Sequence, residues 1–83
     1  MEPDTSAELI GLRIRAARNR KKMTAKALSL ALGWPPTRIS RIERAELPLF
    51  VSDLVKIAGE LEYRPADFLE EEFPYEKIEE VKR

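Results

Sequence analysis

The chain of 83 residues and 9.6 kDa has room for one small domain, and it contains neither cysteine nor histidine. These absences exclude disulfides, cysteine nucleophiles and histidine-dependent triads, and they remove the usual ligands of zinc and haem, so we expect neither a metal nor a cofactor. Hydrophobic residues make up 43% of the chain and charged residues 36%, as is typical of a globular domain. No apolar run approaches the length of a membrane span, and we expect a cytoplasmic protein.

The net charge of zero averages over an uneven distribution along the chain. Residues 1–46 carry ten basic and five acidic side chains, whereas residues 47–83 carry five basic and ten acidic ones, so the two halves have net charges of +5 and −5. Between Arg13 and Arg44 the only acidic residue is Glu43. This polarity predicts that an anionic partner docks on the first half.

Apolar residues recur at helical spacing, and neither an alternating run nor a hairpin turn indicates a strand. Thr5 and Glu8 form a capping box, which predicts that the first helix begins near Ser6. The residues of this helix predicted to face inward are Ile10, Ile14 and Ala17. Those predicted to face mostly outward are Arg13, Arg15, Arg20 and Lys21.

Two short helices are predicted on either side of a glycine. Thr24 caps a second helix over about residues 24–32, and Gly33 follows at the position where a helix ends in a left-handed residue. Two prolines then lead into a third helix over about residues 36–45. We interpret Trp34 as core beside the turn, with stacking on a base as the alternative. The residues expected to pack these two helices are Ala27, Leu28, Ala31, Ile39 and Ile42.

The second half of the chain predicts two more helices and a tail. A fourth helix is expected over Val51–Leu61, and Pro65 opens a fifth. Residues 1–69 would form the domain, and residues 70–83 an acidic tail with helical spacing of its apolar residues. The apolar residues predicted to face inward are Val51, Leu54, Val55, Ala58, Leu61, Phe68 and Leu69.

The predicted second and third helices, with the glycine turn between them, form a helix-turn-helix, whose second helix can enter the major groove of DNA. With Ile39 and Ile42 facing the core, Thr37, Arg38 and Arg41 are presented together on the outer side of the third helix. Arginine reads guanine with two hydrogen bonds, and threonine can contact a thymine methyl group or a phosphate. This pattern indicates a DNA-binding surface, and the alternative for the arginines is an ordinary solvated helix face.

From about Leu9 to Leu69 the sequence resembles the Cro and phage-repressor type of helix-turn-helix family. The segments that resemble this family, in order and spacing, are Ile10–Arg15, Arg18, Leu28, Gly33, Ile39–Arg44 and Asp53–Ala58. The resemblance implies a compact, all-α, five-helix fold and a sequence-specific transcriptional regulator without enzymatic activity. It also implies that a homodimer binds operator-like, palindromic double-stranded DNA, and thereby associates with the nucleoid.

The resemblance assigns roles to individual residues. The three outward residues of the third helix would face bases, and Arg18 and Glu43 would form a partly buried ion pair between the first and third helices. For Lys22, the expected phosphate contact at the end of the first helix, the alternative role is compensation of the helix dipole. The expected phosphate contacts are Lys22, Thr24, Lys26 and Arg44.

Some positions depart from the family pattern and keep other functions open. Ala25 replaces a phosphate-binding glutamine, Pro35 and Pro36 have no N–H to donate, and Ala45 and Glu46 stand where glycine and a basic residue are usual. These departures favour, as one alternative, a protein-interaction module without DNA binding. Another alternative is an antitoxin-like regulator that binds a partner protein through its C-terminal tail.

Two sets of apolar residues are candidates for the dimer seam. We prefer the loop after the third helix, together with the fourth helix, and we expect the tail to reinforce it. The loop residues are Leu47, Leu49 and Phe50, and the tail residues are Tyr75, Ile78 and Val81.

Overall fold

The structure, a computed structural model, describes residues 6–70, 73 and 74. This part of the chain contains four α-helices, one 3-10 helix and no strand, which confirms the predicted all-α class. The predicted fifth helix is a short 3-10 helix. None of these helices is long and apolar enough to cross a membrane. The helices are α1 (Ala7–Arg20), α2 (Ala25–Ala31), α3 (Arg38–Glu43), α4 (Val51–Leu61) and the 3-10 helix (Pro65–Phe68).

Hydroxyl side chains cap the first two helices. Ser6 Oγ accepts a hydrogen bond from the Leu9 N–H at 3.2 Å and caps α1, which therefore begins near Ser6, as predicted. Thr5, the first residue of the predicted capping box, lies outside the described residues. Thr24 Oγ1 accepts from the Ala27 N–H at 3.0 Å and caps α2, as predicted.

The long helix α1 contacts each of the other four described helices and forms the centre of the fold. Apolar side chains from all five helices meet there, and the core extends to Phe73, beyond residue 69, where the predicted domain ends. The buried apolar residues are Ile10, Ile14, Ala17, Leu28, Ile39, Ile42, Leu54, Ile57, Ala58, Leu61, Tyr63, Phe68 and Phe73.

Arg13 was predicted to point outward, but it is only 3% exposed. Its guanidinium donates to the carbonyl oxygens of Phe68 at 3.0 Å and Glu70 at 2.6 Å, and it lies 5.9 Å from the Phe73 ring centroid. Carbonyls at the end of a helix have no partner within that helix, so a buried donor nearby can satisfy them. Arg13 therefore connects α1 to the C-terminal segment, a contact between residues too distant in sequence for a local pattern to reveal.

The buried stripe of α2 differs from the predicted one. Ala27 and Ala31 are exposed, while Leu28 and Ser29 are buried, because the inward positions follow i, i+3, i+4 from Ala25. The prediction placed only apolar residues on the buried stripe, but the polar Ser29 is buried there because its hydroxyl is hydrogen-bonded.

The inward face of α4 is also rotated from the predicted one. Val51 and Val55 are exposed, and Asp53 and Ile57 are buried instead. The charged residue Asp53 can occupy the buried stripe because its carboxylate is paired with Arg38 of α3. Leu69, predicted to face inward, is 44% exposed because it lies just after the 3-10 helix, whose Phe68 fills the core.

Candidate nucleic-acid interface

The turn between α2 and α3 is tight and ends later than predicted. Gly33 adopts φ 75°, the left-handed conformation that glycine tolerates best, and the Trp34 N–H donates to the Ser29 carbonyl at 2.9 Å. The prolines at positions 35 and 36 form a turn, so α3 begins at Arg38. At its other end, α3 stops before Ala45, which has φ 59°. The helix α3 therefore spans residues 38–43 and is shorter than the predicted 36–45.

A buried hydroxyl joins the two helices of the helix-turn-helix. Ser29 Oγ accepts a hydrogen bond from the Ile39 N–H at 3.0 Å and donates to the Ala25 carbonyl at 2.9 Å. The Ile39 N–H belongs to the first turn of α3, where backbone donors have no partner within the helix. Ser29 thus fixes the start of α3 against α2.

An ion pair ties α3 to α1. Arg18 Nε donates to Glu43 Oε2 at 2.8 Å and another guanidinium nitrogen donates to Oε1 at 3.0 Å, with side-chain exposures of 12% and 7%. Arg18 also donates to the Met23 carbonyl at 2.8 Å. The hydrogen bonds to Glu43 raise the pKa of Arg18 above its ordinary value. Sequence reasoning proposed this pair, and its two residues do lie together.

Most of the predicted DNA-contacting residues lie on the surface. Thr37, Arg41 and Arg44, in α3 and at its two ends, are exposed; 49% of the Arg41 side chain and 57% of the Arg44 side chain are accessible. The predicted phosphate contacts around the start of α2 are also exposed: Lys22, Thr24 and Lys26. These side chains can therefore reach a macromolecular ligand without a change in the core.

Arg38 is less exposed than the other two predicted arginines, at 28% of its side chain against 49% and 57%, and its guanidinium contacts α4 and the turn. One nitrogen lies 2.7 Å from Asp53 Oδ2 in α4, and the guanidinium carbon lies 4.2 Å from the Trp34 ring centroid. Trp34 itself is half-buried and packs against the core, in agreement with its interpretation as core. Arg38 thus connects α3 to the turn through Trp34 and to α4 through Asp53. Sequence reasoning missed the contact with Asp53, which lies 15 residues further along the chain.

Glu46 lies next to two of the exposed arginines. Its carboxylate accepts two hydrogen bonds from Arg44, from Nε at 2.8 Å and from a terminal nitrogen at 3.2 Å, and it lies 3.7 Å from Arg41 Nε. The hydrogen bonds lower the pKa of Glu46 and raise that of Arg44. The sequence showed Glu46 in a region where the family usually has a basic residue, but it did not predict this pairing.

An apolar groove of about 240 Å³ lies beside the loop that follows α3. Of the predicted seam residues, Leu49 and Phe50 line this groove, and Leu47 is half-buried against the core. The predicted tail residues lie outside the described residues. The side chains that line the groove are those of Ala7, Ile10, Leu49, Phe50, Val51, Leu54 and Leu69.

Two short helices around a left-handed glycine, with an exposed arginine on the second helix, define the chain as a helix-turn-helix protein. A family model described as Helix-turn-helix matches residues 14–68, from within α1 to the end of the 3-10 helix. The chain belongs to the Cro/repressor-like helix-turn-helix family of DNA-binding regulatory domains, which confirms the predicted resemblance. Comparisons with curated proteins and with solved structures give no match.

Proposed function

We propose that this protein is a sequence-specific transcriptional regulator that places α3 in the major groove of DNA. The observation that supports it best is the exposed Arg41 guanidinium on the outer side of a helix whose Ile39 and Ile42 are buried. In this arrangement Arg41 reads a guanine, and Thr37, one turn earlier, contacts a neighbouring base. Arg38 orients α3 through its contact with Asp53 and contributes less to base reading.

Contacts to the DNA backbone come from the exposed residues around the start of α2 and the end of α3. Lys22 and Lys26 supply positive charge, and Arg44 follows the last residue of α3. Thr24 Oγ1 uses a lone pair to cap α2, so its hydroxyl proton can be donated to a phosphate. Such contacts position the protein on any duplex, whereas the residues of α3 select the sequence.

The regulator acts as a homodimer in this proposal, with the apolar groove as the seam. Phe50 and Val51, at its edge, are 62% and 76% exposed, and exposed apolar side chains that cluster indicate an interface. Because the groove adjoins the loop after α3, a second copy docked there places a second recognition helix near the first. Two such helices would read the half-sites of a palindromic operator.

The first experiment separates reading of DNA from attachment to it. A site is selected from a random duplex pool, and binding of wild type, Arg41→Ala and Lys26→Ala is titrated on that site and on a scrambled duplex at several salt concentrations. Arg41→Ala is expected to lose about 1–3 kcal/mol on the selected site only. Lys26→Ala is expected to weaken both duplexes and to reduce the salt slope by about 0.9. Equal weakening of both duplexes by Arg41→Ala would make Arg41 a backbone anchor.

The second experiment tests the seam by sedimentation with and without DNA. Val51→Glu places a charge in the groove, and it should produce monomers and abolish two-to-one complexes. Leu12→Glu is the matched control, because Leu12 is 57% exposed on α1 and does not line the groove. Complexes of one protein per operator for the wild type would contradict the homodimer.

One observation favours a protein-interaction module as a second candidate. The carboxylates of Asp53 and Glu46 lie within 4 Å of the three arginines of α3 and its flank, at 2.7 Å from Arg38, 3.7 Å from Arg41 and 2.8 Å from Arg44. Absence of binding to every duplex at low salt would favour this module. An antitoxin-like role of the tail, residues 70–83, would be indicated by co-purification of a second polypeptide that is lost when residues 75–83 are removed.

A further inference from the structure

The turn that ends α3 folds the chain back on the recognition helix. Ala45 has φ 59°, and the following N–H, that of Glu46, donates to the Arg41 carbonyl at 2.8 Å. This geometry closes the end of the helix and points residue 46 back along it. As a result, the Glu46 carboxylate lies beside Arg44 and Arg41 at the same time.

We propose that Glu46 competes with DNA phosphates for Arg44 and so weakens attachment of the protein to DNA of any sequence. This inference rests on the proposed function, because Arg44 is one of the phosphate contacts assigned above. The carboxylate occupies Arg44 through two parallel hydrogen bonds, which is also the geometry in which arginine binds a phosphate. A phosphate must therefore displace Glu46 or bind Arg44 by its remaining donors.

The pairing is well placed to be displaced. All three side chains are about half exposed, at 49% for Arg41, 57% for Arg44 and 47% for Glu46. An exposed ion pair is weak in water, so DNA can break it, but the glutamate charge then lies near the phosphates. The resulting repulsion weakens the contacts to the DNA backbone, and tight binding consequently depends on the base contacts of α3.

The pairing of Glu46 differs from that of the other carboxylate at the recognition helix, Glu43. Glu43 is 7% exposed and its partner Arg18 is 12% exposed, so that pair is inside the fold and away from a ligand. Glu46 faces solvent, and its charge acts on the ligand more than on the stability of the fold.

The test compares Glu46→Gln with Glu60→Gln, which removes the same charge from an exposed position near the end of α4. Binding to a selected duplex and to a scrambled duplex is titrated at several salt concentrations. Glu46→Gln is expected to tighten binding to both duplexes about three- to tenfold near 0.1 M salt, and to steepen the salt dependence by about one phosphate contact. Glu60→Gln is expected to change neither the affinity for the two duplexes nor the salt dependence.

The same comparison in an Arg44→Ala background identifies the partner. If Glu46 acts by competing for Arg44, the gain from Glu46→Gln should shrink by more than half when Arg44 is absent. In the free protein, carbon NMR of the carboxylates should give Glu46 a pKa below its ordinary value, and Arg44→Ala should raise it.

The outcomes separate this inference from the proposed function. If the wild type binds DNA and the Glu46→Gln and Glu60→Gln variants bind it with equal affinity, the role of Glu46 is overturned and the proposed DNA binding is not. A Glu46 pKa that is insensitive to Arg44→Ala also overturns it, whatever the DNA result. Failure of the wild type and of Glu46→Gln to bind any duplex at low salt overturns both.

Discussion

The helix-turn-helix and the helices that support it are stabilised in different ways. The two helices of the former, α2 and α3, have only seven and six residues and bury two residues each. The supporting helices α1 and α4 have 14 and 11 residues and bury five each, and the aromatic rings of Tyr63, Phe68 and Phe73 pack behind them at 5.2–5.5 Å.

The short helices compensate for their small apolar contribution with specific polar contacts. Ser29 fixes the start of α3, Arg18 and Glu43 fix its end against α1, and Arg38 joins it to Asp53 of α4. A hydrogen-bonded contact depends on geometry more strongly than an apolar one does. The position of α3 should therefore be sensitive to single polar substitutions that remove little apolar surface.

The largest expected effect is loss of the ion pair between α1 and α3. Glu43→Ala leaves the largely buried Arg18 guanidinium without its carboxylate, and we expect unfolding to become easier by about 3 kcal/mol. Chemical denaturation measures this, with Glu60→Ala, an exposed glutamate of α4, as the control. A cost below about 1 kcal/mol would show that the pair behaves as a surface pair.

A slightly smaller effect is expected at the closest approach of the same two helices. A Cβ at Gly11 would lie against the Glu43 backbone, with the carbonyl carbon at only 2.9 Å. We expect Gly11→Ala to cost about 1–2 kcal/mol, because overpacking outweighs the better helix propensity of alanine.

Gly59→Ala in α4 is the matched control, because nothing lies within 4 Å of a Cβ at that position. It should stabilise the protein by about 0.5–1 kcal/mol in the same denaturation experiment. Equal effects of the two substitutions would mean that α1 and α3 do not approach so closely in solution.

The hydroxyl of Ser29 is expected to contribute about 1–2 kcal/mol. Ser29→Ala leaves the buried Ile39 N–H without its acceptor, and the cost is the desolvation of that donor. Ser40→Ala removes a hydroxyl whose bond to the Thr37 carbonyl is exposed, and it should change stability little. Faster amide exchange at Ile39 in Ser29→Ala alone would locate the effect, and unchanged exchange would argue against it.

The smallest effect is expected in the supporting half and only at high pH. Burial raises the pKa of Tyr63 above its ordinary value of 10.0, so the unfolded chain loses the phenol proton at a lower pH than the folded one. The resulting stability is complete below about pH 10 and is lost as the pH rises through the folded pKa. Tyr63→Phe should flatten this alkaline decline in unfolding free energy, and an unchanged slope would assign it to other groups.

Local patterns in the sequence predicted the framework of the protein. The bounds of α4, the cap at Thr24 and the left-handed Gly33 all follow from residues within a few positions of one another. Capping, chain reversal and helical periodicity are short-range effects, and for this reason they can be read from the chain alone.

Only the tertiary structure decided which polar residues are buried and which arginines are available to a ligand. Arg13 and Ser29 lie inside because acceptors and donors from distant segments satisfy them, and no local pattern encodes those partners. Arg38 and Arg41 are three residues apart in one helix, yet the first contacts Asp53 and the second remains half exposed. The free energy of a buried or paired charge depends on its neighbours in space, so the sequence could propose the arginines of α3 but could not rank them.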